Sequence, residues 1–213
     1  MKQQKHAILF SSGKESILSL HRLRKRYPTD SITLIHMGYG QMALFRETGA
    51  GMHYAKKYNA VYKRLNVDLA IPVTIMAGKY GNNHVYNRNF VFIGMAVNYC
   101  LEMGIMDLVV PFTYSQDVNV DSSLQYLAKV RPVIRRLYPG IQLRSNLKNH
   151  SEKTHVLLLK EKADLSLVWS CDGLGVWKDG KLYHCGKCKK CYNFLYETPD
   201  IKEYLKKVRY AKR

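Results

Sequence analysis

The chain is poor in acid. Asp and Glu number 16 against 34 Lys and Arg, which gives a net charge of +18. Such a field favours anionic partners such as nucleotides, nucleic acid or acidic surfaces, and says nothing about fold. Long hydrophobic runs are missing too: none approaches the roughly 18 apolar residues of a membrane-spanning helix. The apolar stretch Ala7-Ile8-Leu9-Phe10 near the start is too short for a signal peptide. These absences predict a soluble, cytoplasmic protein with no membrane partner. Cysteine is scarce before residue 171, where only Cys100 occurs, in an apolar pattern with Phe90, Ile93, Val97 and Leu101 that marks it as a buried core residue. A thiol nucleophile outside the later cluster therefore has no candidate. There is no internal repeat and no low-complexity linker, and 213 residues suit one α/β domain with a small appendage.

What is present alternates. Residues 7–11, 31–37, 61–67 and 106–112 read as strands, with a short one at 141–144. Ser12-Gly13-Lys14-Glu15 reads as a polar turn; helical spacing fills 17–27, 42–58, 89–103, 122–137 and 151–163, and Pro28 stops the first of these. This order predicts a parallel sheet covered by helices on both faces. The loops at 11–16, 38–41 and 112–121 all follow strands, so they should open on the carboxyl edge, where such sheets bind ligands. From residue 169 the composition shifts to Cys, Gly and Lys. We therefore expect an α/β domain over 1–168 and a small cysteine-rich module with a basic C-terminal helix docked on it over 169–213.

Cys185, Cys188 and Cys191 stand three residues apart, and Cys171 lies 14 residues earlier. Thiolates at this spacing can wrap one tetrahedral zinc ion, and a closed shell of four cysteines leaves no position for substrate, so the zinc is expected to be structural. Gly186 lets the turn bend, while Lys187, Lys189 and Lys190 offset the negative charge of four thiolates around the ion. An iron–sulfur cluster also uses four cysteines. Disulfides, or His184 in place of a thiol, are lesser alternatives.

Phe10-Ser11-Ser12-Gly13-Lys14-Glu15-Ser16 joins the first strand to the first helix. Small residues at 11–13 let backbone N–H groups approach an anion, the helix N-terminus adds partial positive charge, Ser16 offers a hydroxyl and Lys14 a full charge. A turn with Ser11 or Ser12 as N-cap explains the same residues without a ligand.

This loop resembles the Ser-Gly-Gly-x-Asp-Ser loop of the ATP-pyrophosphatase (PP-loop) family. Within that family the chain is most similar to the 7-cyano-7-deazaguanine synthases. The resemblance runs from about residue 10 to 195: the loop, Tyr39-Gly40-Gln41, Arg88-Asn89, Asp117, and Trp169-Ser170-Cys171 followed by Cys185-Gly-Lys-Cys188-x-x-Cys191. It implies an adenine-nucleotide alpha hydrolase-like (Rossmann-like) fold and an ATP- and Mg²⁺-dependent ligase. That enzyme takes 7-carboxy-7-deazaguanine and ammonia to 7-cyano-7-deazaguanine (preQ0), works as a homodimer and needs no covalent nucleophile. It also implies roles. Residues 10–16 bind the phosphates, with Lys14, Glu15 and Arg88 catalytic. Arg88 neutralises phosphate or carboxylate charge, and Tyr39, Gln41, Asn89 and Asp117 contact the base.

The chain departs from the pattern at Ser12 (usually Gly), Glu15 (usually Asp) and Asn87 (usually Gly), and Asp121-Ser122-Ser123 replaces an Asp-Cys-Arg run. Lys153 is a candidate for the family's helix-start lysine. Ser12 suits the loop if its φ stays negative. Two other readings remain: a thiolase-like PP-loop enzyme acting on tRNA or DNA, which the charge favours, and a nucleotide- or nucleic-acid-binding relative that has lost catalysis. The basic surface and short chain also fit a viral source, which would place the protein in the host cytoplasm.

Overall fold

The structure is a computed structural model, and it describes residues 3–69, 87–113, 120–147, 153–197 and 201–211. Asp117, named above, lies outside the described residues. Every residue of β2 (Ser31–Gly38) after the first is buried. A strand buried on both faces belongs in the middle of a parallel sheet with helices above and below. The neighbours of β2 are β1 (Lys5–Leu9) and β3 (Val61–Asn66), and β1 is flanked on its other side by β4 (Asp107–Val109) and then β5 (Gln142–Arg144). All four pairings are parallel.

Alternation along the strands feeds two cores. Ile8, Ile32, Leu34 and Val109 point to α1 (Lys14–Arg26), α2 (Leu44–Lys57) and α5 (Thr154–Lys160). Ala7, Ile35, Leu108, Val110 and Leu143 point the other way, to α3 (Arg88–Glu102) and α4 (Leu124–Leu137), where Cys100 is fully buried. Strand β3 forms an edge and carries Lys63 and Arg64, charges that discourage pairing with another sheet. Among the described residues no helix is long and apolar enough to cross a membrane.

The chain runs outward from β1 through β2 to β3, then crosses back to β4 on the opposite side of β1. That reversal opens a crevice at the carboxyl ends of β1 and β4, the position where doubly wound sheets bind ligands. Residues 11–13 sit there. The expected strand at 106–112 is shortened to three residues: the Val110 N–H still bonds the Arg144 carbonyl in register, and the Phe112 N–H then bonds back to the Val110 carbonyl and turns the chain.

After residue 169 come a hairpin, β6 (Val176–Lys178) and β7 (Lys181–Tyr183), and two helices, α6 (Lys189–Glu197) and α7 (Lys202–Leu205). The expectation of one basic C-terminal helix needs correcting to these two short ones, and the hairpin is an addition to it. Phe194, Ile201, Tyr204 and Val208 enter the same core as α1 and α5. The segment is thus anchored at both ends, on the sheet domain and on its own cysteines.

Candidate functional site

The loop after β1 is held from outside. Ser12 has φ 60°, a left-handed backbone that L residues rarely adopt. The condition that its φ stay negative is therefore not met. Two bonds hold it there: Ser12 Oγ donates to the Glu47 carbonyl at 3.0 Å, and the Trp169 N–H donates to the Ser12 carbonyl at 2.9 Å. The residue is fully buried. Gly13 is the N-cap of α1 and makes no side-chain cap bond, so neither Ser11 nor Ser12 caps the helix. The N–H groups of Lys14, Glu15 and Ser16 open the helix and have no carbonyl one turn back, which leaves them turned toward the crevice. Ser16 Oγ takes the Ser11 N–H at 3.2 Å and meets Ser11 Oγ at 3.1 Å, which closes the loop on itself.

Lys14 and Glu15 diverge. The Lys14 ammonium lies 3.9 Å from the centre of the Phe194 ring on α6. Burial pulls its pKa below the ordinary lysine value; Glu15 opposes this, while Lys153 and Lys190 reinforce it. The Glu15 carboxylate stands over the loop, with Oε2 at 3.9 Å from where a Cβ on Gly13 would sit.

A second set gathers at the end of β2. The Tyr39 N–H donates to Gln41 Oε1 at 2.9 Å. Gln41 Nε2 donates to the Met37 carbonyl at 3.0 Å and to Glu47 Oε2 at 2.8 Å. His36 Nε2 lies 3.2 Å from the same carboxylate oxygen, and His36 Nδ1 lies 2.6 Å from the Tyr62 hydroxyl. Arg88, the first residue of α3, donates from Nη1 to the Tyr39 hydroxyl at 3.0 Å and lies over the Tyr39 and Phe92 rings. Its Nε is buried without a partner among the described residues. Burial raises the Tyr39 pKa, and the Arg88 charge opposes the rise. A guanidinium with an unspent donor beside a neutral phenol is a receptor for an anionic or carbonyl oxygen.

Asn89 is turned elsewhere: its amide donates to the Asp121 carbonyl at 3.1 Å, and its N–H meets Asp121 Oδ2 at 3.4 Å. Asn87, ahead of them, has φ 55°. Both glycine-to-other departures, Ser12 and Asn87, thus fall on left-handed backbone, which explains why glycine suits those places.

The four thiols converge, with all Sγ atoms within 4.8 Å of one another. Cys171 and Cys188 are 3.9 Å apart, as are Cys185 and Cys191. A tetrahedron with metal–sulfur bonds of about 2.3 Å has edges of about 3.8 Å, so the set fits a single ion. Backbone N–H groups of Gly173, Lys187, Cys188 and Cys191 point at sulfur. Four thiols this close cannot all ionise without a cation to offset the repulsion. Gly186 is required: its φ is 68°, and a Cβ would meet the Ala211 carbonyl oxygen at 2.2 Å. His184 is not among the ligands. Its ring Nε2 lies 3.1 Å from the Val168 carbonyl, between Trp169 and Tyr210, and burial lowers its pKa to about 4.

Sequence reasoning missed Glu47, whose carboxylate meets Gln41 and His36 and whose backbone carbonyl accepts from the Ser12 hydroxyl. The available signal was that it is the one acidic residue between Asp30 and Asp68. It also missed the reach of Lys190, which pairs with Asp172 at 2.7 Å and whose charge is felt by both Lys14 and Tyr39.

With the geometry in view, comparison with known proteins is decisive. The family described as "Queuosine biosynthesis protein QueC" matches residues 5–195. The chain belongs to this family. A curated relative, the 7-cyano-7-deazaguanine synthase of Pyrococcus abyssi, is 23% identical over 212 residues, which covers 86% of this chain and 88% of the relative. Two solved structures share the fold. One is described as a predicted subunit of tRNA methyltransferase from Methanocaldococcus jannaschii, with TM-score 0.50, 21% identity, and coverage of 75% of this chain and 74% of that one. The other is the U34-tRNA thiolase NcsA from Methanococcus maripaludis with its [4Fe-4S] cluster, with TM-score 0.51, 14% identity, and coverage of 97% and 68%. As a QueC-family protein the chain is a PP-loop, ATP-dependent ligase-type enzyme of queuosine biosynthesis, and its four cysteines form a site compatible with metal.

Proposed function

We propose that the protein converts 7-carboxy-7-deazaguanine and ammonia to 7-cyano-7-deazaguanine with the consumption of two ATP. The observation that carries this reading is the crevice between β1 and β4. There the open N-terminus of α1 follows a loop bound to Glu47 and Trp169, in a chain of the QueC family.

A carboxylate is a poor electrophile, so its oxygen must first become a leaving group. The substrate carboxylate attacks the α-phosphorus of ATP, and pyrophosphate departs. Ammonia then adds to the acyl carbon, sheds a proton and expels AMP, leaving the amide. The amide oxygen attacks a second ATP and a second pyrophosphate leaves. Loss of AMP and both N–H protons gives the nitrile. At each adenylation charge builds on the departing pyrophosphate, and donors fixed in advance stabilise it most. The N–H groups of residues 14–16, the Ser11 and Ser16 hydroxyls and the Lys14 ammonium are suited to that task. Magnesium carried by ATP would neutralise phosphate oxygens, and Glu15 offers the hard carboxylate oxygen such an ion takes. Arg88 would hold the substrate carboxylate with its spare donor, and Tyr39, ordered by Gln41, would line the base.

We further propose that the cysteines hold zinc. Sulfur spacings of 3.9 Å suit one ion, whereas a cubane cluster assigns each cysteine to a different iron and spreads the sulfurs. The zinc would take no part in the chemistry. It would fix Trp169 and α6, and through them Ser12 and Lys14. A sulfur-transfer reading is disfavoured: the remaining thiol, Cys100, is fully buried, and burial pushes its pKa up to about 12.

The test is incubation with ATP, Mg²⁺, ammonia and 7-carboxy-7-deazaguanine. The expected outcome is a nitrile by product mass and two AMP per turnover. AMP formation only when tRNA or DNA is added would sink the proposal. Elemental analysis should find one zinc per chain, and iron in its place would overturn the metal assignment.

A further inference from the structure

The hairpin β6–β7 and the first turn of α2 carry side chains that the reaction above does not use. Trp177 is 64% exposed and Phe45 is 77% exposed. The Arg46 guanidinium lies 5.4 Å from the Trp177 ring and 5.5 Å from the Phe45 ring, so it sits between two aromatic faces open to solvent. Two large rings left in water cost the free protein hydrophobic free energy, and stacking a guanidinium on them recovers only part of it. Across the hairpin, Lys178 is in register with Lys181, and both are exposed. Like charges directly opposite one another destabilise a strand pair. Glu47, the nearest carboxylate on α2, is turned inward to His36 and Gln41.

From this arrangement we infer that Trp177, Phe45 and Arg46 form a docking platform for single-stranded nucleic acid. Unpaired bases have π-faces to stack on Trp177 and Phe45, and their phosphates suit the Arg46 guanidinium between the two rings. Stacking on aromatic side chains within a basic surface is the sequence-tolerant mode of single-strand binding. A duplex hides its base faces and cannot stack this way. A second copy of the chain is a poorer occupant, because two chains that each carry +18 repel one another. The net charge of +18 gives the long-range attraction. The platform adjoins the candidate site, since Ala43, just before α2, packs with Trp169 and Cys171. It stands whether or not the substrate assignment above is right.

Trp177 reports directly. It is one of two tryptophans, and the other, Trp169, is buried. Titration of the zinc-loaded protein with an end-labelled oligothymidylate of about 12 nucleotides should quench its fluorescence and raise the anisotropy of the label, which reads every variant, with an affinity that falls steeply as salt rises. Trp177→Ala should weaken binding by about tenfold or more, as loss of one stacked base does; Trp177→Phe should retain most of it, and Arg46→Gln should reduce both affinity and salt dependence. Metal content and melting temperature should not change in any of the three. Undiminished binding by Trp177→Ala, equal competition from polyglutamate, or preference for duplex would each overturn the proposal. So would the absence of oligonucleotide binding together with self-association that Trp177→Ala abolishes.

Discussion

The loop at 10–16 and the cysteine knuckle at 171–191 solve the problem of holding a strained backbone in opposite ways. The knuckle is locally written. Gly186 supplies the left-handed turn without steric cost, and its neighbours' N–H groups point at sulfur. The loop is written elsewhere. Its left-handed residue is a serine, held by the Glu47 carbonyl and the Trp169 N–H, 35 residues and more than 150 residues away. The local motif can be read from spacing; the remote one cannot. Yet the two are joined, because Trp169 and Phe194 belong to the knuckle's segment and touch Ser12 and Lys14.

The sharpest way to break this pairing is to remove the metal. Cys185→Ser, or a strong chelator, should release the ion, whose binding free energy in comparable sites is folding free energy of order 10 kcal/mol. If the knuckle only decorates the surface, ATP turnover will survive. If it holds the loop, turnover will vanish together with the near-ultraviolet dichroism of Trp169, while far-ultraviolet dichroism keeps the sheet domain's signal.

Arg88 tests the crevice without touching the knuckle. Its guanidinium is tied to Tyr39 by one donor and leaves Nε unspent. Arg88→Lys keeps the charge and loses the fork, so kcat/KM for the carboxylate substrate should fall by roughly thirtyfold, about 2 kcal/mol for a charge-assisted bond. Metal content and melting temperature should stay put. A variant equally active at all substrate concentrations would remove Arg88 from the site.

Much of the architecture was legible because periodicity reports burial. Strands and helices fell within a few residues of expectation, and the reversal that opens the crevice follows from their order. The four cysteines were legible because metal chemistry fixes both residue type and spacing. Glu47, Asp172 and Lys190 were not, since a carboxylate in a helix's first turn and an ion pair across a knuckle look like ordinary solvated charge until the fold brings their partners near. The conformation of Ser12 was not legible for the same reason: residue preference favours negative φ, and two distant hydrogen bonds outweigh it. Asn89 had a legible position, but its amide is turned to Asp121, a partner that spacing does not reveal.

Asp164 lies on the span between the two regions. It accepts from the Ser166 N–H, Lys57 and His53, and these bonds outweigh burial to hold its pKa at about 2. A carboxyl depressed in the folded state contributes stability above its unfolded pKa near 4, and loses it as pH falls toward the folded value. Unfolding free energy should therefore drop by about 1–2 kcal/mol between pH 4 and pH 2, after allowing for solvent screening. Asp164→Asn should remove that slope and lower the stability at pH 7 by a similar amount, as measured by denaturant titration. A slope that persists in the variant would assign it to other carboxylates.

The smallest effect separates local strain from remote restraint. At Ser12, glycine would relieve left-handed strain of about 1 kcal/mol but forfeit the bond to the Glu47 carbonyl, worth about as much. Ser12→Gly should therefore unfold within a few tenths of a kcal/mol of the parent, whereas Ser12→Ala keeps the strain, loses the bond and should cost about 1 kcal/mol more than glycine. Activity ought to follow the restraint, because a glycine loop samples backbone shapes that the serine loop does not. We expect Ser12→Gly to raise the KM for ATP at unchanged stability. A glycine variant that is more stable and equally tight for ATP would mean that the Trp169 N–H alone holds the loop, and that Glu47 serves Gln41 and His36 only.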